Sequence, residues 1–394
     1  MNTKGVNFFG SFETTDGIGR GASLNLKCFK LSNINCDEYV LSRPFAPQTG
    51  RDTVIDSRLL KNLQYKVNFF HFSARWVEHY FSKLKNSELN KFYNIGYWYC
   101  ETPNITNKWA KELMFFDEIW TASTFCQESL AKISKIPIIK IPHPIEKRPL
   151  SLRVKNRAEG KCTEPFTFLN IFNVYSDAER KNPLFTIRAF LNAYEGNLNV
   201  RLIIKVSNLE FDPILAEKLT IISKRFKNIE IIDSFITDSA IQALYDAADA
   251  YVSLHRAEGF GLTISDAISR GIPVITTGYS GNMDFCRFNQ TRLVDYSLRT
   301  IGHDRLRYLN NDIWAEPSMT DAVKAFQEVR ECYSLWAKNA LAAHEEVSQS
   351  FSMEKISHLI SNRMHLINNN FNYSDGITNE PYGKAVGIKN TYNF

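Results

Sequence analysis

The chain contains no apolar stretch near the roughly 18 residues that a membrane-spanning helix needs. The segment from Met1 to Gly10 lacks the long apolar core of a secretory signal peptide. These two absences predict a cytoplasmic protein. With 44% hydrophobic and 23% charged residues over 394 positions, the composition is that of a globular protein and excludes disorder and collagen. The length indicates two or three domains.

Paired cysteines are also lacking. The seven cysteines are odd in number, they include no Cys-x-x-Cys pair, and no two histidines stand at ligand spacing. The sequence therefore predicts reduced, mostly buried thiols, without a disulfide framework and without a metal site.

A strong excess of one charge is absent as well. The formal net charge is +5, and lysine and arginine are spread along the chain without a dense basic block. This balance favours phosphate-bearing ligands, or weak attraction to an anionic membrane surface such as the inner face of the cell membrane. It argues against a nucleic-acid partner.

What the sequence does contain is an alternation of short, β-rich apolar runs with amphipathic stretches, which is typical of parallel sheets with helical crossovers. The first series comprises Gly5–Gly10, Gly19–Leu31, Glu38–Leu41, Val67–Phe72, Arg75–Leu84, Tyr93–Cys100, Lys108–Phe115, Glu118–Ala122 and Phe125–Ile133. The second comprises Phe166–Phe172, Pro183–Tyr194, Val200–Ser207, Phe211–Phe226, Ile229–Ile232, Ser239–Ala248, Ala250–His255, Gly261–Arg270 and Pro273–Thr276. After about residue 320 only helical patterns remain, ending with Met353–Ile367 and an asparagine-rich tail.

A proline-rich stretch separates the two series. Four prolines lie within Pro137–Pro149, and the polar segment Ser151–Glu164 follows them. We therefore expect an N-terminal domain over residues 1–150, a linker over 151–164, a second domain over 165–345, and a terminal helix and tail over 346–394. The predicted fold class is α/β, with two Rossmann-like parallel-sheet domains in series.

The first motif that suggests a ligand runs from Thr15 to Ala22, as Thr-Asp-Gly-Ile-Gly-Arg-Gly-Ala, between the first strand and the first helix. Glycines let a ligand approach the backbone closely, and a helix N terminus attracts anions. The spacing also matches the nicotinamide-dinucleotide pattern, which requires an acid at the end of the second strand. Here Asp37 and Glu38 open that strand, and its end reads Leu41-Ser42-Arg43. A tight turn without a ligand is the other interpretation.

A second motif places Glu258-Gly-Phe-Gly-Leu262 between a strand end and a helix, with Asp266 eight positions after Glu258. Amides at the helix start can bind phosphate or sugar oxygens, and Glu258 can accept hydrogen bonds from hydroxyls. Two acids at this spacing can hold two polyol groups of one ligand with an anion between them. The alternative, acids that complement the helix dipole, explains Asp266 but not the loop glycines or the preceding His255-Arg256.

A pair of cations, Arg180-Lys181, follows the strand Phe166–Phe172. Two cations at the carboxyl end of a strand form a pyrophosphate clamp, and solvent-facing loop charges are the alternative. Lys205 favours the clamp, because an ammonium at the end of the next apolar strand is costly unless an anion or a carboxylate meets it.

Four further features have two interpretations each. His71 and Glu101 end strands of the first series and are candidates for the acceptor or sugar side of a cleft, but a lone strand-end histidine is more often structural. His255 is either structural or ligand-facing. The run Tyr97–Tyr99 is either core or a stacking platform for sugar rings.

Together these motifs resemble the donor-binding region of the retaining glycosyltransferases of family 4. The resemblance rests on Glu258–Leu262 with its following acid, Arg270–Thr276 and Gly278–Asn282. Similarity to a branch that builds bacterial surface polysaccharides, such as lipopolysaccharide or capsule, rests on Ser176–Lys181, Leu202–Val206 and Ile313–Pro317. The resemblance covers nearly the whole chain and is strongest from Phe166 to Pro317.

The resemblance implies the GT-B fold, with a nucleotide sugar held mainly by the second domain and a glycan or lipid-linked acceptor by the first. It implies C-terminal helices that cross back to the first domain, and hexosyl transfer with retention and without a bound metal or other cofactor. By the same resemblance, Arg180 and Lys181 stabilise the leaving group, Glu258 meets sugar hydroxyls, and Asp266 holds the ribose. The remaining donor-side residues are Gly17, Gly19, Arg20, Lys205, His255, Gly259, Phe260, Gly261 and Leu262.

The chain departs from this family in three places. Asp266 stands where glutamate is usual, and Tyr175 stands near the position of a family arginine, so that Arg180 must substitute for it. Glu101 stands where many members carry a histidine. These departures affect the ribose contact, the cation pair and the sugar contact from the first domain.

Two other functions fit parts of the sequence. A nicotinamide-dependent oxidoreductase fits Gly17–Ala22, but its required acid is misplaced and it leaves the second-domain motifs unused. A non-catalytic carbohydrate-binding protein of the same fold would tolerate the loss of Arg180 and Lys181, which are present. The predicted function is therefore that of a glycosyltransferase.

Overall fold

The computed structural model describes residues 2–12, 16–41, 53–105, 107–234, 236–287, 289–303 and 308–374. Two parallel sheets of six strands form its frame. The first sheet contains β1 (Asn2–Gly10), β2 (Asn35–Val40), β3 (Tyr65–His71), β4 (Tyr93–Trp98), β5 (Glu118–Thr121) and β6 (Ile138–Lys140). The second contains β7 (Phe166–Asn173), β8 (Val200–Ser207), β9 (Ile229–Asp233), β10 (Ala250–Ser253), β11 (Val274–Thr277) and β12 (Arg292–Val294). The antiparallel pair β13 (Tyr296–Thr300) and β14 (Ile313–Pro317) follows.

Helices connect the strands and cover both faces of the sheets. They are α1 (Gly17–Leu31), α2 (Ser57–Lys61), α3 (Val77–Phe81), α4 (Asn86–Leu89), α5 (Asn107–Glu112), α6 (Thr124–Ala131), α7 (Leu152–Ala158) and α8 (Ala178–Lys181). The chain continues with α9 (Pro183–Tyr194), α10 (Pro213–Arg225), α11 (Asp238–Asp246), α12 (Leu262–Ile268), α13 (Met319–Glu331), α14 (Tyr333–Ser350) and α15 (Met353–Ser374). None of the helices in the described ranges is both long and apolar enough to span a bilayer.

The apolar runs form strands because a parallel sheet is covered on both faces, so both sets of alternating side chains are buried. In the first domain, Phe8, Phe29, Phe69 and Trp120 are fully buried and pack ring against ring between α1 and the sheet. The predicted α/β class with two parallel-sheet domains is confirmed.

Each sheet reverses its strand order at one point. The first sheet has the order β2-β1-β3-β4-β5-β6, and the second has the order β12-β11-β10-β7-β8-β9. In the first sheet, β2 lies on one side of β1 and β3 to β6 lie on the other. In the second sheet, β8 and β9 lie on one side of β7 and β10 to β12 lie on the other. Ligands of such sheets bind beyond the carboxyl ends of the strands at this reversal, which are the ends of β1 and β3 in one domain and of β7 and β10 in the other.

The segment from 151 to 164, predicted as a linker, contains helix α7, which the sequence analysis does not predict. Ser151 caps this helix by accepting from the Val154 amide. Arg153 and Arg157 of α7 both bind the fully buried carboxylate of Asp249, at 3.0 Å each. Buried charges need such partners, so α7 is fastened to the second domain.

The last two helices contact both domains. Helix α14 packs on α7 and α12, whereas α15 packs on α1, where the Ser32 hydroxyl donates to the Ser357 carbonyl oxygen at 2.7 Å. Arg363 of α15 binds the fully buried Glu118 carboxylate, with Nε 3.1 Å from Oε1. Of the predictions above, Thr15, Ser42, Arg43 and the tail beyond residue 374 lie outside the described residues.

Candidate active site

A cleft of about 790 Å³ lies between the two sheets, lined by residues that follow β1, β3, β4, β7, β8 and β10. Its described lining includes six cationic residues, namely Arg20, Lys27, Arg75, Arg148, Arg180 and Lys181. It also includes seven acidic residues, namely Asp16, Glu101, Glu146, Asp238, Glu258, Asp266 and Asp312. Counted over these residues, the cleft has no excess of positive charge.

The short helix α8 orients the two predicted clamp residues. It lies between Asp177 and Asn182, which have left-handed backbones with φ of 72° and 58°. Asp177 Oδ1 accepts from the Glu179 and Arg180 amides at 3.0 and 3.2 Å, and Asn182 Nδ2 donates to the Leu254 carbonyl oxygen at 3.0 Å. Left-handed non-glycine residues persist where their surroundings fix them, and these side-chain bonds do so.

Arg180, Lys181 and Glu258 form one charge cluster. Lys181 Nζ lies 2.5 Å from Glu258 Oε1, and Arg180 Nη1 lies 3.2 Å from Glu258 Oε2. Glu101 reaches the cluster from the first domain, with Oε1 3.8 Å from Arg180 Nη2. The structure thus brings together four residues that the sequence places on three separate strand ends.

The two cations differ in how they are held. Arg180 is 3% exposed and donates to the Ser176 carbonyl oxygen from Nε and Nη2, at 3.1 and 2.7 Å, and to the Ala257 carbonyl oxygen from Nη1 at 2.5 Å. Lys181 is bound through the Glu258 carboxylate. Arg180 therefore fixes the loop that carries Glu258, whereas Lys181 can transfer its ammonium to another anion without breaking backbone contacts.

The cluster keeps Glu258 ionised. Burial on its own raises the pKa of this carboxyl, but the adjacent Lys181 and Arg180 charges outweigh burial and hold the pKa at about 2. Burial lowers the pKa of Lys181, and the Glu258 charge opposes that shift.

The loop from Glu258 to Leu262 depends on glycine at two positions. Gly261 has φ +99°, which favours glycine, and it begins α12 without a side-chain cap. A Cβ on Gly281 would lie 2.3 Å from the Gly259 carbonyl oxygen, so this close approach excludes any side chain there. Gly259 in turn accepts from the Ser123 hydroxyl of the first domain at 2.7 Å.

The predicted glycine loop at the start of α1 is already occupied by a carboxylate. Asp16 Oδ1 accepts from the Ile18 and Gly19 amides at 2.8 and 3.0 Å. Gly17 lines the cleft, whereas Gly19 is buried. The contact of Gly17 and Gly19 with a diphosphate stays a prediction, and two amides of this helix end already have a partner.

Arg20 and Asp266 meet across the cleft. Arg20 Nη2 lies 2.5 Å from Asp266 Oδ1, and Nη1 bonds to Oδ2, which makes the pair bidentate. Arg270 donates to the Asp266 carbonyl oxygen from Nη1 at 2.6 Å. The predicted ribose-binding residue therefore lies in the cleft, and its two carboxylate oxygens face an arginine of the other domain.

Two fully buried histidines, His71 and His143, bond to the half-buried Tyr99 in the first-domain wall. The Tyr99 hydroxyl lies 3.1 Å from His71 Nε2 and 2.7 Å from His143 Nε2. Burial lowers the pKa of His71 to about 3 and that of His143 well below its ordinary value. Both rings are then neutral at pH 7, and since the hydroxyl has one proton, one histidine donates to Tyr99 and the other accepts from it.

Besides Gly19, three more predicted residues lie away from the cleft lining. His71 lies beneath Tyr99, and His255 is fully buried with Nε2 3.3 Å from the Thr276 hydroxyl. Lys205 is 1% exposed, and its Nζ bonds to the Val206 carbonyl oxygen and, at 3.1 Å, to the Ser207 hydroxyl. The Lys205 ammonium therefore bonds to neutral oxygens, and the charge of Asp233, outside the cleft lining, partly opposes the lowering of its pKa by burial.

Sequence reasoning missed several cleft residues. His143 lies in the proline-rich stretch at the end of the first domain, and its ring contacts Phe260 of the second domain with centroids 5.4 Å apart. Tyr308 and Asp312 lie beside β14 and also line the cleft. Of the run Tyr97–Tyr99, the first two residues are core and Tyr99 lines the cleft, a division that strand alternation alone does not reveal.

Within the described residues, no group of three or more His, Cys, Asp or Glu side chains is arranged to hold a metal ion. All seven cysteines are free, and four of them, Cys28, Cys100, Cys126 and Cys286, are buried.

Residues 223–295 match the family model for glycosyl transferases group 1. The matched segment begins in α10 and ends just after β12, so it includes the Glu258–Leu262 loop and Asp266. A comparison with curated proteins finds no match.

Solved structures share the fold over most of the chain. The pneumococcal O-GlcNAc transferase GtfA, crystallised with UDP and GlcNAc, is 15% identical with a TM-score of 0.57, over 79% of this chain and 59% of its own. The Anabaena protein Alr3699/HepE, crystallised with UDP-glucose, is 12% identical with a TM-score of 0.63, over 91% and 99%. A glycosyltransferase from Rickettsia africae ESF-5 is 15% identical with a TM-score of 0.63, over 92% and 99%.

The chain therefore spans somewhat more than half the length of GtfA and nearly all of the other two. The fold is GT-B, with two parallel-sheet domains that face a cleft. At these identities the likeness establishes the fold.

Proposed function

We propose that this protein is a glycosyltransferase that moves a hexosyl group from a nucleotide-sugar donor to a hydroxyl of a glycan or lipid-linked glycan, with retention of configuration. The observation that carries the proposal is the cluster of Lys181, Arg180 and Glu258 inside the cleft of a GT-B fold. The group 1 match over residues 223–295, which includes Glu258, supports it.

In the proposed reaction, the bond between the anomeric carbon and the diphosphate oxygen breaks. The acceptor oxygen bonds to that carbon on the same face, and the acceptor proton passes to the departing diphosphate. Negative charge grows on the diphosphate as it leaves, and stabilising such charge is usually the largest single catalytic effect. Lys181 supplies that stabilisation directly, while Arg180 adds its charge and holds the loop.

The carboxylates of Glu258 and Asp266 bind the hydroxyl groups of the donor. When the Lys181 ammonium turns to the diphosphate, Glu258 is free to accept hydrogen bonds from sugar hydroxyls. Arg180 Nη1, 3.2 Å from Glu258 Oε2, stays beside the carboxylate and continues to favour its ionised, accepting form. Asp266 is assigned to the ribose at the other end of the donor.

We also propose that no metal ion or other cofactor is needed, because side-chain cations in the cleft can neutralise the diphosphate. The acceptor is assigned to the first-domain wall. Tyr99 and Trp109 line the cleft there and offer aromatic surfaces to sugar rings, and Glu101 lies beside them. The net charge of +5 supports attraction to an anionic membrane that holds a lipid-linked acceptor.

The oxidoreductase alternative receives no support from β2. Asp37 and Glu38 lie within this strand and are bound by the Tyr39 hydroxyl at 2.6 Å and by Lys30 at 2.6 Å. The binding-protein alternative predicts ligand affinity without turnover, so an activity measurement separates it from the proposal.

The test is a thermal-shift screen of the full chain against UDP, GDP, ADP, CDP, dTDP, NAD and sugar conjugates of the diphosphates, in EDTA and in magnesium. A diphosphate at 100 times its dissociation constant should stabilise the protein by about 2.7 kcal/mol, equally in both buffers. Release of that diphosphate from its sugar conjugate is then measured with and without glycan acceptors.

The proposal predicts binding and release for at least one conjugate. Binding without release would indicate a carbohydrate-binding protein, and stabilisation by NAD alone would indicate an oxidoreductase. Binding that is lost in EDTA and restored by magnesium would contradict the metal-independent part of the proposal.

A further inference from the structure

The pair of Arg20 and Asp266 joins the two domains across the cleft. Arg20 lies in the first turn of α1, and its two terminal nitrogens bond to the two carboxylate oxygens of Asp266 in α12. The Arg20 side chain is 39% exposed and that of Asp266 is 14% exposed. A bidentate pair of this kind engages both oxygens of the carboxylate and holds its open edge against the guanidinium, so a ligand that approaches this edge competes with Arg20.

A diphosphate that enters this cleft meets cations that already face carboxylates. Lys181 is bound to Glu258, and Arg180 faces the same carboxylate while it donates to two backbone carbonyl oxygens. For Arg20, Arg180 and Lys181, a close contact with the diphosphate competes with the existing contact to a carboxylate. Among Arg20, Arg180 and Lys181, the side chain of Arg20 is the most exposed, at 39% against 3% and 15%.

We propose that Arg20 changes partner when a nucleoside diphosphate binds. Its guanidinium leaves Asp266 for a phosphate oxygen, and the freed Asp266 carboxylate accepts hydrogen bonds from the ribose hydroxyls. This inference rests on the proposed function, because it takes a nucleoside diphosphate as the ligand. It makes Arg20 a specificity-determining residue that favours ligands carrying both a ribose and a diphosphate.

The exchange keeps every charged group in contact with a partner. Arg20 gains an anion, Asp266 gains hydroxyl donors, and Arg270 stays behind, bonded to the Asp266 carbonyl oxygen at 2.6 Å and placed over the Tyr245 ring at 4.5 Å. A nucleoside without phosphates breaks the same pair but offers Arg20 no anion. It must therefore compete with Arg20 for Asp266, whereas the diphosphate does not.

The experiment measures the affinity of the full chain for uridine and for UDP, by calorimetry for UDP and by ligand-observed NMR for uridine. If the screen above identifies another base, its nucleoside and diphosphate replace these two probes. The variants are Arg20→Gln and, as a matched control, Lys30→Gln. Lys30 lies on the same helix, is 57% exposed and pairs with Glu38, so its variant loses the same charge outside the cleft.

In Arg20→Gln we expect UDP to bind about tenfold or more weakly, because a charge-assisted contact to phosphate is lost. We expect uridine to bind severalfold more tightly, because Asp266 no longer has a competing cation. Lys30→Gln should bind both ligands as the wild type does. The opposite signs for uridine and UDP distinguish a change of partner from a simple loss of positive charge.

Uridine affinity that is unchanged or weaker in Arg20→Gln would overturn the inference, since Arg20 would then only orient Asp266 or add charge. Unchanged UDP affinity would overturn it as well. If Arg20→Gln does not fold, Arg20→Lys keeps the charge but not the bidentate geometry, and it should bind uridine more tightly while it retains most of the UDP affinity. A wild-type protein that binds no nucleoside diphosphate would instead refute the proposed function, and this inference with it.

Discussion

Replacing Lys181 with methionine is the most direct test of the charge cluster. The substitution keeps the length of the side chain and removes the ammonium, whose bonded partner is Glu258 Oε1 at 2.5 Å. If the ammonium stabilises the departing diphosphate, its loss acts mainly in the transition state. We therefore expect turnover to fall much more than stability.

The two effects can be compared in magnitude. Removal of one group that stabilises developing charge typically lowers the rate by about 10²–10³, or roughly 2.7–4 kcal/mol. Breaking a buried ion pair typically costs about 3–5 kcal/mol, because it leaves a charge without a partner. In Lys181→Met that charge is Glu258, which keeps Arg180 Nη1 at 3.2 Å, so we expect a stability loss below this range, at about 1–2 kcal/mol.

The assay measures release of diphosphate from the nucleotide sugar, alongside thermal unfolding of the same samples. A second substitution, Glu258→Gln in the Lys181→Met background, separates the two roles of the lysine. If Lys181 acts on the leaving group, the double variant regains stability but turns over much more slowly than Glu258→Gln alone. Turnover equal to that of Glu258→Gln would show that Lys181 serves only to neutralise Glu258, and Lys161→Met, at an exposed ion pair with Glu159, controls for loss of charge.

Four other outcomes are expected. Glu258→Gln should lower turnover without weakening the bare nucleoside diphosphate, whereas Asp266→Asn should change the affinities for the diphosphate and for its sugar conjugate by the same factor; calorimetry with both ligands checks this, and equal losses in both variants would contradict it. Lys205→Met should leave turnover about unchanged, because its Nζ bonds to oxygens outside the cleft lining; a loss comparable to that of Lys181→Met would refute this location. Gly281→Ala should lower both melting temperature and turnover, since its Cβ would lie 2.3 Å from a backbone oxygen, while Gly278→Ala, whose Cβ has its nearest neighbour at 3.5 Å, should do neither. Acid unfolding should show the contribution of Glu258 to stability, because its folded pKa of about 2 lies below the ordinary value near 4.3. This stabilisation is present above about pH 4 and is lost as the pH falls towards 2. Glu258→Gln should remove this pH dependence from the unfolding curve.

The layered frame of the protein could be predicted because its strands are continuous apolar runs. A strand that is covered on both faces has apolar residues at nearly every position. The strands Phe166–Asn173 and Val200–Ser207 show this pattern. The pair β13 and β14 could not be found in this way, since every residue of β13 is exposed and the strand contains no continuous apolar run. Helix α7 was missed for a related reason, because its fastening to Asp249 through two arginines is a contact between distant positions.

Within the site, the sequence predicted residue types at strand ends better than it predicted where their side chains lie. Lys181 and Lys205 carry the same charge near the carboxyl ends of buried strands, yet one lies in the cleft and the other is bonded to its own strand end. The difference arises in the backbone: Asp177 and Asn182 turn the chain around α8 with left-handed dihedrals, whereas Lys205 lies inside β8. His143 could not be predicted, because its partner Tyr99 is distant in sequence.

Two pairs of a cation and a carboxylate lie in the cleft and are stabilised in the same way. They are Lys181 with Glu258 and Arg20 with Asp266. Each pair keeps a carboxylate and a cation charged in a partly buried place, which neither could occupy alone at low cost. A nucleotide sugar presents hydroxyls at both ends and a diphosphate between them, so it can supply hydrogen-bond donors to both acids and an anion to both cations at once. A sugar alone offers hydroxyls to Glu258 but no anion to Lys181. A nucleoside alone offers hydroxyls to Asp266 but no anion to Arg20. Selection for the intact donor then follows from the pairing itself, because every smaller fragment must compete with a salt bridge that the whole donor replaces.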